Sequence, residues 1–488
     1  MSGNAKNKSA RRMADKKWFI VMAAVIVCFA FGPPQAEAGT AWLERQKLLA
    51  PDGAASDWFG YSVSISGDLA IVGAYRDDDK GNNSGSAYIF GWDGTSWSQQ
   101  QKLTASDGAG YDWFGWSVSI SGDLAIVGAY YDDDKEANSG SAYIFKRDGT
   151  GWSQQQKLTA SDGAARDYFG ASVSISSDKI IVGAYRDDDK GIDSGSAYIF
   201  KQDGTAWVQQ QKLTASDGTA YDSFGYSVSI SGDLAIVGAC YDDDKGDYSG
   251  SAYIFRWDGT SWSQQQKLTA SDGAAYDFFG YSVSISGDYA IVGAVRDDNK
   301  GYSSGSAYIF KRNGTSWVQQ QKLLASDGAA YDFFGYSVSI SGDFAIVGAV
   351  WDNDKGDNSG SAYIFKRNGT SWVQQQKLIA SDGAVDDNFG LSVSISGDYA
   401  IVGAYCDDDK GSDSGSAYVF ESVFERVCPT ADLSGDCCVN FADFAVIGSQ
   451  WLQAPGVPSA DIAPEGGDGV VNFLDLDILV NEWLQCGE

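Results

Sequence analysis

Short runs of apolar residues recur along most of the chain and predict β-strands in groups of four. In one run Phe114, Trp116 and Val118 alternate with Gly and Ser, which predicts a strand with one buried face. The next run, Leu-Ala-Ile-Val-Gly-Ala, is almost continuously apolar and predicts a strand buried on both faces. Tight-turn residues separate run one from two and run three from four, which predicts hairpins. In one copy the runs are residues 114–121, 124–129, 141–145 and 152–158.

The whole pattern repeats every 55 residues. Seven copies follow one another without an insertion or deletion, and a Trp recurs at this interval from Trp42 to Trp372. Four antiparallel strands in each of seven units predict a seven-bladed β-propeller, with an open β-solenoid as the alternative. Phe-Gly ends at Gly60, Gly115, Gly170, Gly225, Gly280, Gly335 and Gly390.

The two ends of the repeat array complement each other. After the seventh copy the next Trp is due at position 427, where Val427 stands. The missing fourth strand occurs at the other end, in residues 42–48. An N-terminal strand that completes the last blade would close the ring and remove two exposed edges. The sequence therefore predicts a mainly-β, closed propeller over residues 39–427.

The repeats resemble the FG-GAP family, whose best-known members are the integrin α-subunit propellers. The resemblance covers about residues 42–420, is carried by 59–66, 70–74, 84–90 and their copies, and is closest to the bacterial extracellular branch. It implies a binding or adhesion role. Integrin-type repeats often hold calcium between the Phe-Gly and Gly-Ala strands. Here that link is only Ser66-Gly67-Asp68, so calcium is not expected at that place.

The first 38 residues read as a secretory signal peptide. Six Lys and Arg precede an apolar run over 18–31, followed by Ala36-Glu37-Ala38, a pattern typical of a cleavage site. The run is short for a spanning helix, so an uncleaved anchor is the weaker alternative. We therefore expect a secreted or cell-surface protein with no membrane span after cleavage.

The amino-acid composition excludes several catalytic mechanisms and classes of partner. The 488 residues contain 65 Asp+Glu against 35 Lys+Arg, a net charge of −30, and no His. The absence of His excludes Ser-His-Asp and Cys-His catalysis and His-ligated zinc. The negative charge repels nucleic acid and anionic membranes, so neither is expected as a partner.

Most of the acidity falls in two links that should share one face of the propeller. The link between strands two and three reads Asp-Asp-Asp-Lys, and the link from strand four to the next strand one carries two more Asp. A ring of weak cation sites, for instance at Asp132, Asp134 and Asn138, is one interpretation. The other is that each Asp caps its own loop. Paired carboxylates with Asp112 would suit a glycosidase, but seven equivalent pairs disfavour a single active site.

Residues 428–488 predict a separate α-helical, EF-hand-like module. Two loops with oxygen donors at calcium-ligand spacing each precede an apolar-periodic helix, the first over 441–452. The candidate Ca²⁺ ligands are Asp432, Ser434, Asp436, Cys438, Asn440, Asp443, Asp461, Asp468, Val470, Asn472 and Asp475.

Two such units resemble a dockerin domain, which implies a cohesin-like partner. Cys437 stands where Gly is usual, and apolar pairs stand where type I dockerins contact cohesin with Ser/Thr, at residues 441–442 and 473–474. Calcium-stabilised folding is therefore more strongly indicated than cohesin docking.

Four of the seven Cys lie in or beside the C-terminal module and suggest one or two disulfides of open pairing; Cys428 with Cys486 would join its ends. Cys240 and Cys406 occupy variable places three blades apart and are expected to be free and buried.

These features favour a secreted, non-catalytic binding, adhesion or scaffolding protein. The propeller would present an acidic face to an extracellular protein or glycan, and the C-terminal module would tether it. The alternatives are a carbohydrate-active enzyme (a glycosidase or lyase) in a dockerin-bearing complex and a structural cell-surface component.

Overall fold

Seven four-stranded sheets make up the described part of the protein. The computed structural model describes residues 40–149, 151–424 and Val446, and Trp42–Ser422 form one compact unit. Its 28 strands are grouped by fours, one sheet per 55-residue repeat. The predicted mainly-β seven-bladed propeller is thereby confirmed. Within the described residues, no helix is long and apolar enough to cross a membrane.

Each blade contributes an inner, a second, a third and an outer strand. The inner strands are β2 Ser62–Ser66, β6 Ser117–Ser121, β10 Ser172–Ser176, β14 Ser227–Ser231, β18 Phe279–Ser286, β22 Phe334–Ser341 and β26 Ser392–Ser396. The second strands are β3 Leu69–Ala74, β7 Leu124–Ala129, β11 Lys179–Ala184, β15 Leu234–Ala239, β19 Tyr289–Ala294, β23 Phe344–Ala349 and β27 Tyr399–Ala404. The third strands are β4 Ser86–Trp92, β8 Ser141–Asp148, β12 Ser196–Asp203, β16 Ser251–Trp257, β20 Ser306–Asn313, β24 Ser361–Asn368 and β28 Ser416–Phe424. The outer strands are β1 Thr40–Leu48, β5 Trp97–Leu103, β9 Gly151–Leu158, β13 Ala206–Leu213, β17 Trp262–Leu268, β21 Ser316–Leu323 and β25 Ser371–Leu378.

The N-terminal strand closes the ring, as the sequence predicts. The last sheet runs β1-β28-β27-β26, so blade 7 takes its outer strand from the other end of the repeat array. The hydrophobic core lies between consecutive blades, and one cluster joins Val63 and Ile65 of blade 1 to Ile401 and Val419 of blade 7. The seam therefore buries the same kind of core as the other six junctions.

Side-chain hydrogen bonds also join neighbouring blades, at the inner strands and at the outer strands. The Ser64 hydroxyl accepts the Ile120 N–H at 3.1 Å. This N–H lies on the free edge of the inner strand, and the preceding blade supplies its acceptor. At the outer strands, the Gln101 side-chain amide donates to the Trp152 carbonyl at 2.7 Å and accepts the Trp152 N–H at 2.8 Å. All seven junctions repeat both contacts, including Ser394 with Ile65 and Gln376 with Trp42 at the seam.

The Phe-Gly and Gly-Ala motifs mark a close approach of two backbones. A Cβ on Gly73 would overlap the Gly115 carbonyl of the next blade, and a Cβ on Gly115 would overlap the Ser86 carbonyl. Gly115 also has φ +95°, a conformation that favours glycine. The identity of both glycines in all seven copies therefore follows from blade packing.

The predicted start of the first strand is wrong in blade 2. The alternation predicted a strand from Phe114, but β6 begins at Ser117 because the ladder is irregular around the Phe-Gly glycine; the equivalent strands β18 and β22 do begin at the Phe, with a register shift just after it. Phe114 stays in the core between blades. Trp116 does not share its surroundings, because it packs against Tyr61 and Tyr75 of the preceding blade.

Candidate functional site

Two sets of loops meet on one face of the propeller, here called the axial face. It carries the links between the second and third strands and the links from each outer strand to the next inner strand. Tyr111, in the second kind of link, donates its N–H to the carbonyl of Asn82, in the first kind, at 2.8 Å. The two acidic links therefore share a face, as the sequence predicts.

A lysine from the outer strand lies between the two acidic links of every blade. In blade 1, the Lys102 ammonium is 2.8 Å from Asp52, 2.8 Å from Asp77 and 2.6 Å from Asp79. The Tyr88 hydroxyl oxygen lies 3.0 Å from an oxygen of Asp52 and 2.9 Å from one of Asp77, so its single hydrogen is shared between the two carboxylates. We call this arrangement the lysine clamp.

The clamp is repeated around the ring. Its lysines and aspartates are Lys47 with Asp382, Asp407 and Asp409; Lys102 with Asp52, Asp77 and Asp79; Lys157 with Asp107, Asp132 and Asp134; Lys212 with Asp162, Asp187 and Asp189; Lys267 with Asp217, Asp242 and Asp244; Lys322 with Asp272 and Asp297; and Lys377 with Asp327, Asp352 and Asp354. In blade 5, Asn299 replaces the third aspartate. Each clamp neutralises part of the acidity of this face.

Burial and ion pairing shift the pKa values of the clamp residues in opposite directions. Burial lowers the pKa of Lys102, but hydrogen bonds to Asp52, Asp77 and Asp79 outweigh it, and the pKa of the ammonium lies above its usual value. Burial raises the pKa of Asp52, but Lys102 outweighs burial and holds that pKa below the usual value. Both groups therefore stay charged across the physiological pH range.

Each repeat has a further aspartate, outside the clamp, whose pKa lies above its usual value. Asp112 is buried, accepts the Ala109 N–H at 2.6 Å, and lies near the charge of Asp132. Burial raises its pKa to about 6, the Ala109 hydrogen bond opposes this shift, and the Asp132 charge adds to it. Asp57, Asp167, Asp277, Asp332 and Asp387 have the same environment and a pKa of about 6. The carboxylate considered for a glycosidase is thus one of a repeated structural set.

The geometry of the clamps shows whether the acidic loops of the propeller suit Ca²⁺, the ion that integrin-type repeats often hold. Asp52, Asp77 and Asp79 each place an oxygen within 4.8 Å of the others, and three further blades have equivalent groups. Calcium takes six to eight oxygen ligands. Here the Lys102 ammonium already contacts all three carboxylates, so a second cation would lie against a fixed positive charge. These clusters do not fit Ca²⁺ while the lysine is in place.

The structure brings together two of the three residues considered for a cation site in blade 2. Asp132 and Asp134 both contact Lys157, and the Asp134 N–H donates to Asp132 at 2.9 Å. Asn138 instead donates its N–H to Asp133 at 2.6 Å. These are the loop-capping contacts of the second interpretation.

A ring of mostly aromatic side chains surrounds the axis on the same face. The residue after each Phe-Gly contributes one member. Adjacent aromatic members are in contact: the ring centroids of Tyr61 and Trp116 are 4.6 Å apart, and those of Tyr226 and Tyr281 are 5.0 Å apart. Burial raises the pKa of Tyr61, and the nearby Tyr336 of blade 6 adds to the shift. This axial ring consists of Tyr61, Trp116, Ala171, Tyr226, Tyr281, Tyr336 and Leu391.

Further aromatic residues extend the axial ring on one side. Trp58 contacts Tyr75 and Tyr405 at 5.4 and 5.0 Å between ring centroids, and the Arg76 guanidinium lies 3.5 Å above its ring. Tyr131 stacks on Tyr168 at 5.1 Å. These positions hold different residues in other repeats, so the sevenfold symmetry of the blades is broken on this face.

The remaining candidate residues have mixed outcomes. Cys240 and Cys406 are both free, but only Cys240 is buried. The expectation of burial is wrong for Cys406: Cys240 directly follows its strand, whereas Cys406 lies one residue further along the axial-face loop and is only half-buried. The proposed signal peptide, all eleven candidate Ca²⁺ ligands and the C-terminal Cys residues lie outside the described residues.

Sequence reasoning overlooked the clamp lysines and the axial ring. The lysine could have been found as the invariant residue that ends Gln-Gln-Gln-Lys in six outer strands and Glu-Arg-Gln-Lys in the N-terminal one, and the ring as the variable residue after Phe-Gly. Neither signal states which loops meet in space.

The seven sheets, their closure and the paired glycines define a β-propeller built from one repeated blade. The FG-GAP repeat model matches residues 42–90, 97–145, 152–200, 207–255, 262–310, 317–365 and 372–420. These segments cover more than half of the chain, which therefore belongs to the FG-GAP repeat family. No curated protein matches the chain.

Proposed function

We propose that the protein is an extracellular, non-catalytic binding protein whose ligand contacts the axial face. The observation that carries this proposal is the asymmetry of that face. The blade framework is nearly the same in all seven copies, whereas the residue before Phe-Gly is Trp58, Trp113, Tyr168, Ser223, Phe278, Phe333 and Asn388 in turn. Such variation on a constant scaffold suits recognition of one particular ligand.

The composition of the axial face supports binding by shape and stacking. Trp116 and Trp113 stack at 5.6 Å, and Trp113 contacts Tyr131 at 4.3 Å, so one sector presents a continuous group of aromatic rings. Large aromatic side chains supply much of the contact energy in binding sites while losing little conformational freedom. The inner strands beneath them are rigidly joined from blade to blade.

Two features support a non-catalytic role over a carbohydrate-active enzyme. The chain contains no His, so the commonest general base is absent. The buried aspartates are equivalent around the ring, and Asp112 accepts a backbone N–H within its own loop. A single catalytic pair would require one blade to differ from the others in its carboxylates.

The chain ends supply the rest of the proposal. Residues 1–38 direct secretion, and residues 428–488 form a calcium-stabilised, dockerin-like tether for a cohesin-like partner. This part rests on the sequence patterns alone. Calcium belongs to the tether, since the lysine clamps do not fit the ion.

Binding of the full chain to immobilised extracellular polysaccharides and proteins tests the proposal. Trp116→Ala and Tyr61→Leu introduce residues that the chain itself carries at these positions, in Ala171 and Leu391. We expect the double variant to bind at least tenfold more weakly. The matched control is Trp92→Arg on the opposite face, where blade 2 has Arg147. Equal losses in both variants, or release of reducing sugar by the wild type, would contradict the proposal.

A further inference from the structure

The most exposed aromatic side chains of the axial face are concentrated in a different sector from Trp113 and Trp116. Among the described residues, seven aromatic side chains are between 39% and 62% exposed, and all seven lie on axial-face loops. Six of them follow one another from the junction of blades 3 and 4 to blade 6. This aromatic arc consists of Tyr221, Tyr248, Tyr276, Tyr302, Tyr331 and Trp351.

Two junctions of the arc hold similar pairs of rings, in which Tyr276 and Tyr331 are equivalent and Tyr248 and Tyr302 occupy adjacent positions of the repeat. Tyr248 and Tyr276 lie 5.7 Å apart at 67°, and Tyr302 and Tyr331 lie 5.4 Å apart at 61°. In each pair one tyrosine comes from the link between second and third strands, and the other comes from the next inter-blade link. The Tyr331 N–H donates to the Tyr302 carbonyl at 2.8 Å, which fixes the two loops together. The arc therefore holds a pair of tyrosine rings at each of two successive blade junctions.

The fold does not require aromatic residues at these positions. Tyr276 and Tyr331 have φ near +70°, and the same conformation is held by Ser56, Arg166 and Asp386 in other blades. Tyrosine gains no core contact there that would offset the strain of a positive φ. An exposed apolar surface without a structural use indicates contact with a ligand.

Several carboxylates beside the arc already have partners. Asp243 accepts the Tyr248 N–H at 2.7 Å, and Asp298 accepts the Ser303 N–H at 2.7 Å. Asp242 and Asp244 bind Lys267 in the clamp. The arc therefore presents aromatic ring faces bordered by hydrogen-bond acceptors. The surrounding carboxylates give this surface a negative electrostatic potential, which repels anionic polymers.

We propose that the aromatic arc binds a neutral polysaccharide chain, an inference that rests on the proposed binding function and specifies its ligand. Sugar rings have apolar C–H faces that stack on aromatic rings, and hydroxyl groups that donate to carboxylate and carbonyl oxygens. A polymer chain can contact more than one of these pairs at once, because the pairs lie at successive junctions of the same face. A basic polypeptide is the less favoured ligand, since Asp242 and Asp244 are committed to a clamp and Asp243 and Asp298 cap their own loops.

The test compares retention of the full-length protein on three immobilised polymers: a neutral β-glucan, polygalacturonate and polylysine. The arc variant combines Tyr248→Asn, Tyr276→Ser, Tyr302→Asn and Tyr331→Ser, all residues that the chain carries at equivalent positions. The matched control is Tyr111→Ser, which removes an equally exposed tyrosine at the same loop position outside the arc. Unchanged melting temperatures would show that both variants keep the fold.

We expect the wild type to bind the β-glucan, the arc variant to lose at least tenfold in affinity, and the control to bind as the wild type does. Failure to bind the β-glucan, or equal binding by the arc variant, overturns the inference. Salt-sensitive retention on polylysine alone would indicate a basic polypeptide; the proposed function would then survive if the Trp116→Ala, Tyr61→Leu variant loses this binding. Absence of binding to all three polymers and to the extracellular proteins would overturn both.

Discussion

Removing one clamp lysine should destabilise the propeller through a single buried carboxylate. In Lys102→Met the methionine keeps the apolar stem, but Asp77 loses its ammonium partner. The Asp77 side chain is only 5% exposed, whereas those of Asp52 and Asp79 are about half exposed. The cost therefore comes mainly from Asp77, which retains only the hydroxyl groups of Tyr88 and Ser86 as side-chain donors.

The expected size follows from the burial of the pair. Removing one partner of a buried ion pair costs about 3 kcal/mol, and the two exposed carboxylates add less than about 1 kcal/mol each. For a unit of Trp42–Ser422 the entropy of unfolding makes 3 kcal/mol equivalent to about 4 °C in the melting temperature. Differential scanning calorimetry of the full chain measures this shift directly.

The matched control is Lys80→Met. It makes the same change of charge on an exposed lysine of the same acidic face, outside the clamp. We expect a shift below about 0.5 kcal/mol. Added Ca²⁺ should recover part of the loss in Lys102→Met but not alter Lys80→Met beyond its effect on the wild type, because only the first variant frees three carboxylates. Equal shifts in the two variants would refute the clamp as a buried ion pair.

Three further predictions address the pH response, the seam and the glycines. Asp112 and its equivalents, with pKa raised to about 6, bind more protons when folded than unfolded between pH 3.8 and 6, so the melting temperature should rise as pH falls from 7.5 to 5. Asp112→Asn should raise it at pH 7.5 but not at pH 5, and a flat wild-type profile would contradict this. Gln376→Leu should cost about 1–3 kcal/mol in chemical denaturation by leaving Trp42 backbone groups unpaired at the seam, with the exposed Gln155→Leu as control. Gly115→Ala should abolish soluble expression because its Cβ overlaps the Ser86 carbonyl, while Gly122→Ala, with open space around it, should remain folded.

Periodicity along the chain was enough to predict the architecture. The 55-residue repeat, the alternation within each copy and the missing last strand together predicted seven blades and an N-terminal closing strand, which the structure confirms. These features depend on neighbours in sequence or on one repeated interval. The exact start of β6 did not follow, since the ladder is irregular at the Phe-Gly glycine and equivalent strands begin at Ser in some blades and at Phe279 and Phe334 in two others.

The site depends on which loops meet, and sequence periodicity carries no such information. Lys102 is 50 residues from Asp52 and 25 from Asp77, and only the sheet register of one blade brings the three together. The acidity of the repeats therefore suggested cation sites, whereas the folded blade supplies its own cation. Likewise, Tyr248 and Tyr276 become a pair only where two blades adjoin. The residue pattern determined the blades and their number; blade-to-blade packing determined how the axial face pairs its charges and exposes its aromatic rings, because those contacts form across strands and junctions.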